Sequence, residues 1–103
     1  MQPHIVLKPV GEVYGTTISN TVATLPSIPN NALVAYIQCE TADVRYRLNA
    51  TTSVTGGVGG GMLLLSGTAV TIEGWDNMNR ARFYRDGSSD GVINVIYSGE
   101  GQP

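Results

Sequence analysis

The stretch "DVRYRL" (43–48) alternates without a break, with Val44, Tyr46 and Leu48 on one side and Arg45 and Arg47 on the other. Successive side chains of an extended chain point to opposite faces, so this hexamer separates an apolar from a cationic face only as a β-strand. The same period of two recurs along the chain. "HIVLK" (4–8) and "EVYGTTIS" (12–19) read as short strands divided by Pro9, Val10 and Gly11, and "ALVAYIQCE" (32–40) as a largely buried strand. "TAVTIEG" (68–74), "RARFYR" (80–85) and "VINVIY" (92–97) complete the set. Turn-forming residues lie between these runs: "PSIPNN" (26–31), Thr41-Ala42, the glycine cluster near residue 58, Asp76-Asn77, and "DGSSDG" (86–91). No ten-residue stretch has a helical period. The pattern predicts an all-β fold, an antiparallel β-sandwich of jelly-roll-like type with seven to eight short strands. Its expected core is Val34, Tyr36, Val44, Tyr46, Leu48, Val70, Ile72, Phe83, Val95 and Tyr97.

A chain of 103 residues supports one such domain with one core, and it contains no internal repeat. Only 14% of the residues are charged, well below the roughly 25% of an average soluble domain. Ser, Thr, Asn and Gly fill the difference, which suits a surface packed against other proteins. The net charge of −2 supplies no basic surplus to displace counterions, so nucleic acid is not an expected partner. A lone cysteine, Cys39, excludes an intrachain disulfide framework and a multi-cysteine zinc site. Its apolar surroundings predict a buried thiol. The opening "MQPHIVLKPVGE" has neither the basic head nor the apolar stretch of a secretory signal, and no apolar run approaches a bilayer-spanning length. The expectation is a protein made in a cytoplasm, without a membrane partner, whose sequon at Asn49 stays unglycosylated.

Residues 56–61, "GGVGGG", place five glycines in six positions. A Walker-type phosphate loop needs Gly-Lys-Ser/Thr after its glycines, but Gly61 is followed by Met62 and the only lysine is Lys8. Gly57 and Gly59 begin a dinucleotide fingerprint whose third glycine position is Met62. Neither phosphate reading survives. There remains a permissive loop, free to reach positive φ and open to close approach by another backbone, and expected to gain order from a partner.

Catalytic and metal-binding patterns are also missing. His4, the single histidine, sits near the start, where a base would be hard to hold rigidly. Asp76, Asp86 and Asp90 lie in turns where aspartate caps its own backbone. "DGSSDG" reads as a hairpin turn, or else as a calcium-binding one, although the Asp-x-Asp-x-Asp-Gly pattern is absent. No enzyme, cofactor or metal is expected. Five of the six basic residues are arginines, in two groups. As strand residues, Arg45 and Arg47 share a face, as do Arg80 and Arg82. Two readings stand: a solvated face paired to Glu40, Asp43, Glu73 or Asp76, or a contact surface for another protein.

The order of these segments carries a resemblance. An apolar strand is followed by "VRYRL", a Gly/Thr-rich loop, "LLLSGTAVTIEGWDNMNRARFYRDG", and a closing "GVINVIY". Over residues 32–97 this resembles small structural proteins of tailed-bacteriophage virions, of the capsid decoration or cement type. The resemblance implies a β-sandwich present in many copies on a virion, probed best by copy number, with the major capsid protein or other virion proteins as partners and a homotrimer as its own assembly. A tail or fibre component, acting as an adaptor or as a receptor- or glycan-binding module, is the alternative. Residues 1–11 are expected to form an extended N-terminal arm and 12–103 the sandwich. Partner contacts are expected from His4, Ile5, Val6 and Leu7 in the arm, from Gly56, Gly57, Gly59 and Gly60 in the loop, and from Arg45, Arg47, Arg80 and Arg82.

Overall fold

The computed structural model describes residues 7–49 and 54–100. Eight strands and one short helix follow in order: β1 (Leu7–Ile18), β2 (Ala23–Thr24), β3 (Ala32–Glu40), β4 (Val44–Arg47), β5 (Met62–Leu64), β6 (Ala69–Glu73), α1 (Trp75–Arg80), β7 (Arg82–Arg85) and β8 (Gly91–Glu100). Of the described residues, 54% are strand and 7% helix, against an average of about 20–25% strand. The fold is all-β, as the alternation predicts. Two antiparallel four-stranded sheets face each other, ordered β1-β8-β3-β6 and β2-β7-β4-β5. This interleaving of early and late strands in two sheets is the jelly-roll order. Every connection crosses between the sheets except that from β4 to β5, which stays within one.

The inner faces interdigitate. Ile18, Ala35, Ile37, Cys39, Ile72, Ile93, Val95 and Tyr97 come from the first sheet, and Leu25, Val44, Leu64, Met78 and Phe83 from the second sheet and its connections. From Gly91 to Tyr97 in β8 the alternation is strict: Ile93, Val95 and Tyr97 are fully buried, while Val92, Asn94 and Ile96 are not. Tyr97 carries its hydroxyl into the interior, where it donates to the Pro26 carbonyl. Burial pushes its pKa up to about 12. Tyr46 packs against Phe83 with ring centroids 5.9 Å apart. Cys39 is buried as expected, its thiol facing the Ala42 carbonyl at 3.1 Å.

Several expectations need correcting. "HIVLK" and "EVYGTTIS" do not form separate strands, because β1 runs unbroken from Leu7 and pairs with β8 from Leu7–Glu100 onward. Residues 7–11 therefore belong to the sheet, and the boundary expected after Gly11 is not one; residues 1–6 lie outside the described residues. Pro9, which has no N–H to donate, is tolerated because β1 is an edge strand and the register slips beside it. In β3 the register with β8 slips between Ala32 and Val34. A one-residue slip exchanges the faces that follow it. Ala32 is thus followed inward by Ala35, Ile37 and Cys39, not by Tyr36, while Val34 is buried outside that cluster. Tyr36 is 44% exposed. Leu48, one residue beyond β4, is exposed as well, while Val70 and Tyr46 are only partly buried. Residues 86–90 join β7 to β8 across the sheets, forming a corner where a hairpin turn was expected.

Phe83 is wholly buried, so Phe83→Ala is expected to cost about 3–5 kcal/mol, measured by denaturant unfolding. The raised Tyr97 pKa fixes an alkaline response. The folded state keeps this proton while the unfolded chain releases it near the ordinary value of 10.0. Stability is therefore intact below pH 10 and falls as pH rises through 10 toward 12. In Tyr97→Phe this part of the alkaline loss disappears, as unfolding at pH 9 and at pH 11 will show.

Candidate interaction site

The one connection that stays within a sheet carries the glycine cluster. Val44 points inward, which turns Arg45 and Arg47 to the outer face of β4. The β4–β5 loop folds back over that face. Arg45 donates through Nε to Asp86 Oδ1 at 2.6 Å and through Nη1 to the Gly61 carbonyl at 3.1 Å. Arg47 donates through Nε to the Gly60 carbonyl at 3.2 Å and through Nη2 to the Gly59 carbonyl at 2.9 Å. The planar fork of arginine suits this use, because each guanidinium presents several donors in a fixed geometry.

The loop also closes on itself. Thr55 N–H donates to the Gly60 carbonyl and Gly60 N–H to the Gly57 carbonyl, both at 3.0 Å. Gly57 and Gly59 hold φ values of 81° and 85°, in the left-handed region that glycine reaches without strain. A Cβ on Gly60 would collide with the Thr55 carbonyl. Val54 is buried beneath the turn, whereas Val58 at its tip is 100% exposed. Asp86 joins the second anchor by accepting the Gly57 N–H at 3.1 Å. Arg45's hydrogen bond is the main cause holding the Asp86 carboxyl below its ordinary value; the Gly57 N–H and the arginine's charge act in the same direction, against some desolvation.

The glycine loop is thus ordered by its own chain, contrary to the expectation that a partner must order it. The arginines of "VRYRL" face outward as read, but they hold the loop and do not stand free. Nor are their carboxylate partners the expected Glu40, Asp43, Glu73 or Asp76. Arg45 pairs with Asp86, and Arg85 with Asp90 at 2.9 Å. Both aspartates of "DGSSDG" consequently accept a guanidinium. Arg80 and Arg82 do not share a strand face, since Arg80 ends α1 and Arg82 begins β7. Arg82 sits opposite Arg47 across the sheet and turns aside to the Asn79 and Ala81 carbonyls. Of the arm residues, exposed Leu7 is in β1, and His4, Ile5 and Val6 lie outside the described residues, as do 51–53 of the loop.

The elements missed in the sequence are the two-residue β2, the short helix α1 where Asp76-Asn77 reads as a turn, and, nearest this site, β5. "MLLL" (62–65) gives no alternation to read, yet Met62–Leu64 pairs with β4 and forms the edge of its sheet. Leu64 is buried, while Met62 (65% exposed), Leu63 and Leu65 face solvent. Leu48, Gly59 and Met62 line a groove of about 550 Å³ beside Tyr46 and Arg47. With Val58 at the loop tip, an apolar margin runs along this unpaired edge. Among the described residues, no helix is long and apolar enough to cross a membrane. Compared with known family models, curated proteins and solved structures, the chain matches none.

The lowered Asp86 pKa gives the loop anchor a pH signature. Its contribution is present above the ordinary carboxylate value of 3.8 and is lost as pH falls through the lowered native one. Unfolding free energies at pH 5 and at about pH 2 should therefore differ less in Asp86→Asn than in the parent.

Proposed function

We propose that this chain is a non-enzymatic structural subunit of a tailed-phage virion, a decoration or cement protein that works in many copies. The observation that carries the reading is the apolar margin of β5. Exposed strand edges are usually blunted by charge, proline or a covering element, since their free N–H and C=O groups pair readily with another chain. Here the unpaired edge bears Met62, Leu63 and Leu65, and a hydrogen-bonded loop holds Val58 in solvent beside it. A single subunit leaves this surface wet. Association with further copies, or with a capsid protein, removes it from water. The low content of charge points the same way, as does the resemblance of the segment order over residues 32–97 to small phage structural proteins.

In this role the arginines act at one remove. Arg45 and Arg47 hold the loop in shape before any partner arrives, so docking does not have to order five glycines. Many weak contacts repeated over a shell then give a firm hold. A trimer fits because closed rings satisfy an edge by symmetry.

Sedimentation velocity tests the assembly. The parent is expected to sediment as a trimer, and the double variant Val58→Asp, Leu63→Asp as a monomer with an unchanged β-type circular dichroism spectrum. A parent that stays monomeric at millimolar concentration contradicts the reading. Counting copies in purified particles tests the location: on the order of hundreds place the protein on the shell, whereas a few dozen place it in the tail.

A further inference from the structure

On the opposite side of the molecule lies a second surface, which the assembly role does not use. It is the outer face of the β1-β8-β3-β6 sheet. Between Val13, opposite Val95, and Thr16, opposite Ile93, β1 carries one extra residue, and Gly15 takes φ 78°. Bulges of this kind re-aim a side chain. Here Tyr14 is left 60% exposed, beside a hollow of about 120 Å³ that it lines together with Tyr36, Gln38, Asn94 and Ile96.

The floor of the hollow is a fixed polar network. Asn94 Oδ1 accepts the Gly15 N–H at 2.8 Å, and Asn94 Nδ2 donates to Gln38 Oε1 at 3.1 Å and to Glu40 Oε2 at 2.7 Å. Both N–H donors of Asn94 are thereby used, and it orients its neighbours. Gln38 has its carbonyl engaged, which leaves its NH2 group as a donor, and Glu40 Oε2 is used while Oε1 is left as an acceptor. Desolvation, and after it the neighbouring Glu12 carboxylate two residues earlier on β1, push the Tyr14 phenol pKa up. Tyr14 on β1 and Tyr36 on β3 are separated by β8, two strand spacings or about 10 Å across the sheet, and are offset by two residues along it, since Tyr36 lies level with Ile96 and Glu12. That is the scale of a disaccharide.

We propose that this face binds a neutral oligosaccharide, with Tyr14 and Tyr36 against the sugar rings and Gln38 and Glu40 on their hydroxyls. Sugars suit the set because a ring has an apolar C–H face for an aromatic and a rim of hydroxyls, each both donor and acceptor. The Asn94 network supplies donor and acceptor side by side in an orientation already set. Charge narrows the class. Among the described residues, Glu12 and Glu40 are the ionic groups on the strands around the hollow and no cation pairs with them, so phosphorylated, sulfated or uronic sugars are repelled. This inference is independent of the assembly role.

The test is titration of the 15N-labelled protein with maltohexaose, cellohexaose and chitohexaose, followed by NMR. At least one is expected to shift the Gly15 backbone amide and the Gln38 and Asn94 side-chain amides, saturating in the high-micromolar to millimolar range. Tyr36→Ala and Gln38→Ala should each weaken that binding about tenfold or more, and Tyr36→Phe by less than Tyr36→Ala. An oligogalacturonate of the same length should not bind. The proposal is overturned if none of the three neutral sugars shifts these signals at about 20 mM. It is overturned equally if Tyr36→Ala binds as the parent does, or if the signals move only with protein concentration, which would make the face a contact between copies.

Discussion

The guanidinium of Arg45 ties together three parts of the chain that are far apart in sequence: the middle of β4, the end of the glycine loop at Gly61, and Asp86 at the corner after β7. Asp86 completes the joint by accepting the Gly57 N–H. Without it, the long β4–β5 connection would rest on the two Arg47 bonds and its own turn bonds, because glycines offer no side chain to bury and lose the most entropy on ordering. With it, Val54 is packed beneath the turn, β5 is delivered to the edge of its sheet, and Val58 stands alone in solvent. The joint is half-buried, with the Arg45 side chain 13% exposed, so water screens it less than a surface pair. Removing either partner would strand the other in a partly dry site.

Two surfaces follow from this construction, and they differ in chemistry. The margin of β5 is apolar and belongs to a strand edge, where backbone groups are also unmatched. The outer face of the other sheet is polar and aromatic, and at the bulge the Gly15 N–H is taken by the Asn94 side chain. An edge suits another protein chain, and a face of fixed amides and tyrosines suits a small hydroxyl-bearing ligand. The jelly roll separates the two, because its sheets turn their apolar sides toward each other and their outer sides in opposite directions. A subunit bound to neighbours along one edge can therefore keep the remote face free.

Much of the fold was legible because period-two alternation is a direct consequence of pleating. "DVRYRL" and "VINVIY" show which side faces inward, and Val44, Val95 and Tyr97 follow it. "ALVAYIQCE" reads wrongly from Tyr36 onward, since the slip at Ala32–Val34 comes from pairing with β8 and leaves no mark in the segment itself. The strand β5 was hidden for a different reason: four consecutive apolar residues have no period. Its pairing is dictated by β4 and by the loop that leads into it. The arginines were read on the correct face of β4, yet their partners are carbonyls of a loop and an aspartate 41 positions away. Only tertiary structure brings those together. The bulge at Gly15 and the Asn94 network are likewise products of register, invisible in "EVYGTTIS" and "VINVIY" taken singly.

The glycine loop is built by its own chain, through the two arginines and its own backbone bonds. Backbone 15N relaxation on the isolated protein tests this most directly. The account predicts order parameters for Gly57, Gly59, Gly60 and Gly61 close to those of β8, about 0.85. Values below about 0.6 across the loop, with β8 rigid, would contradict it.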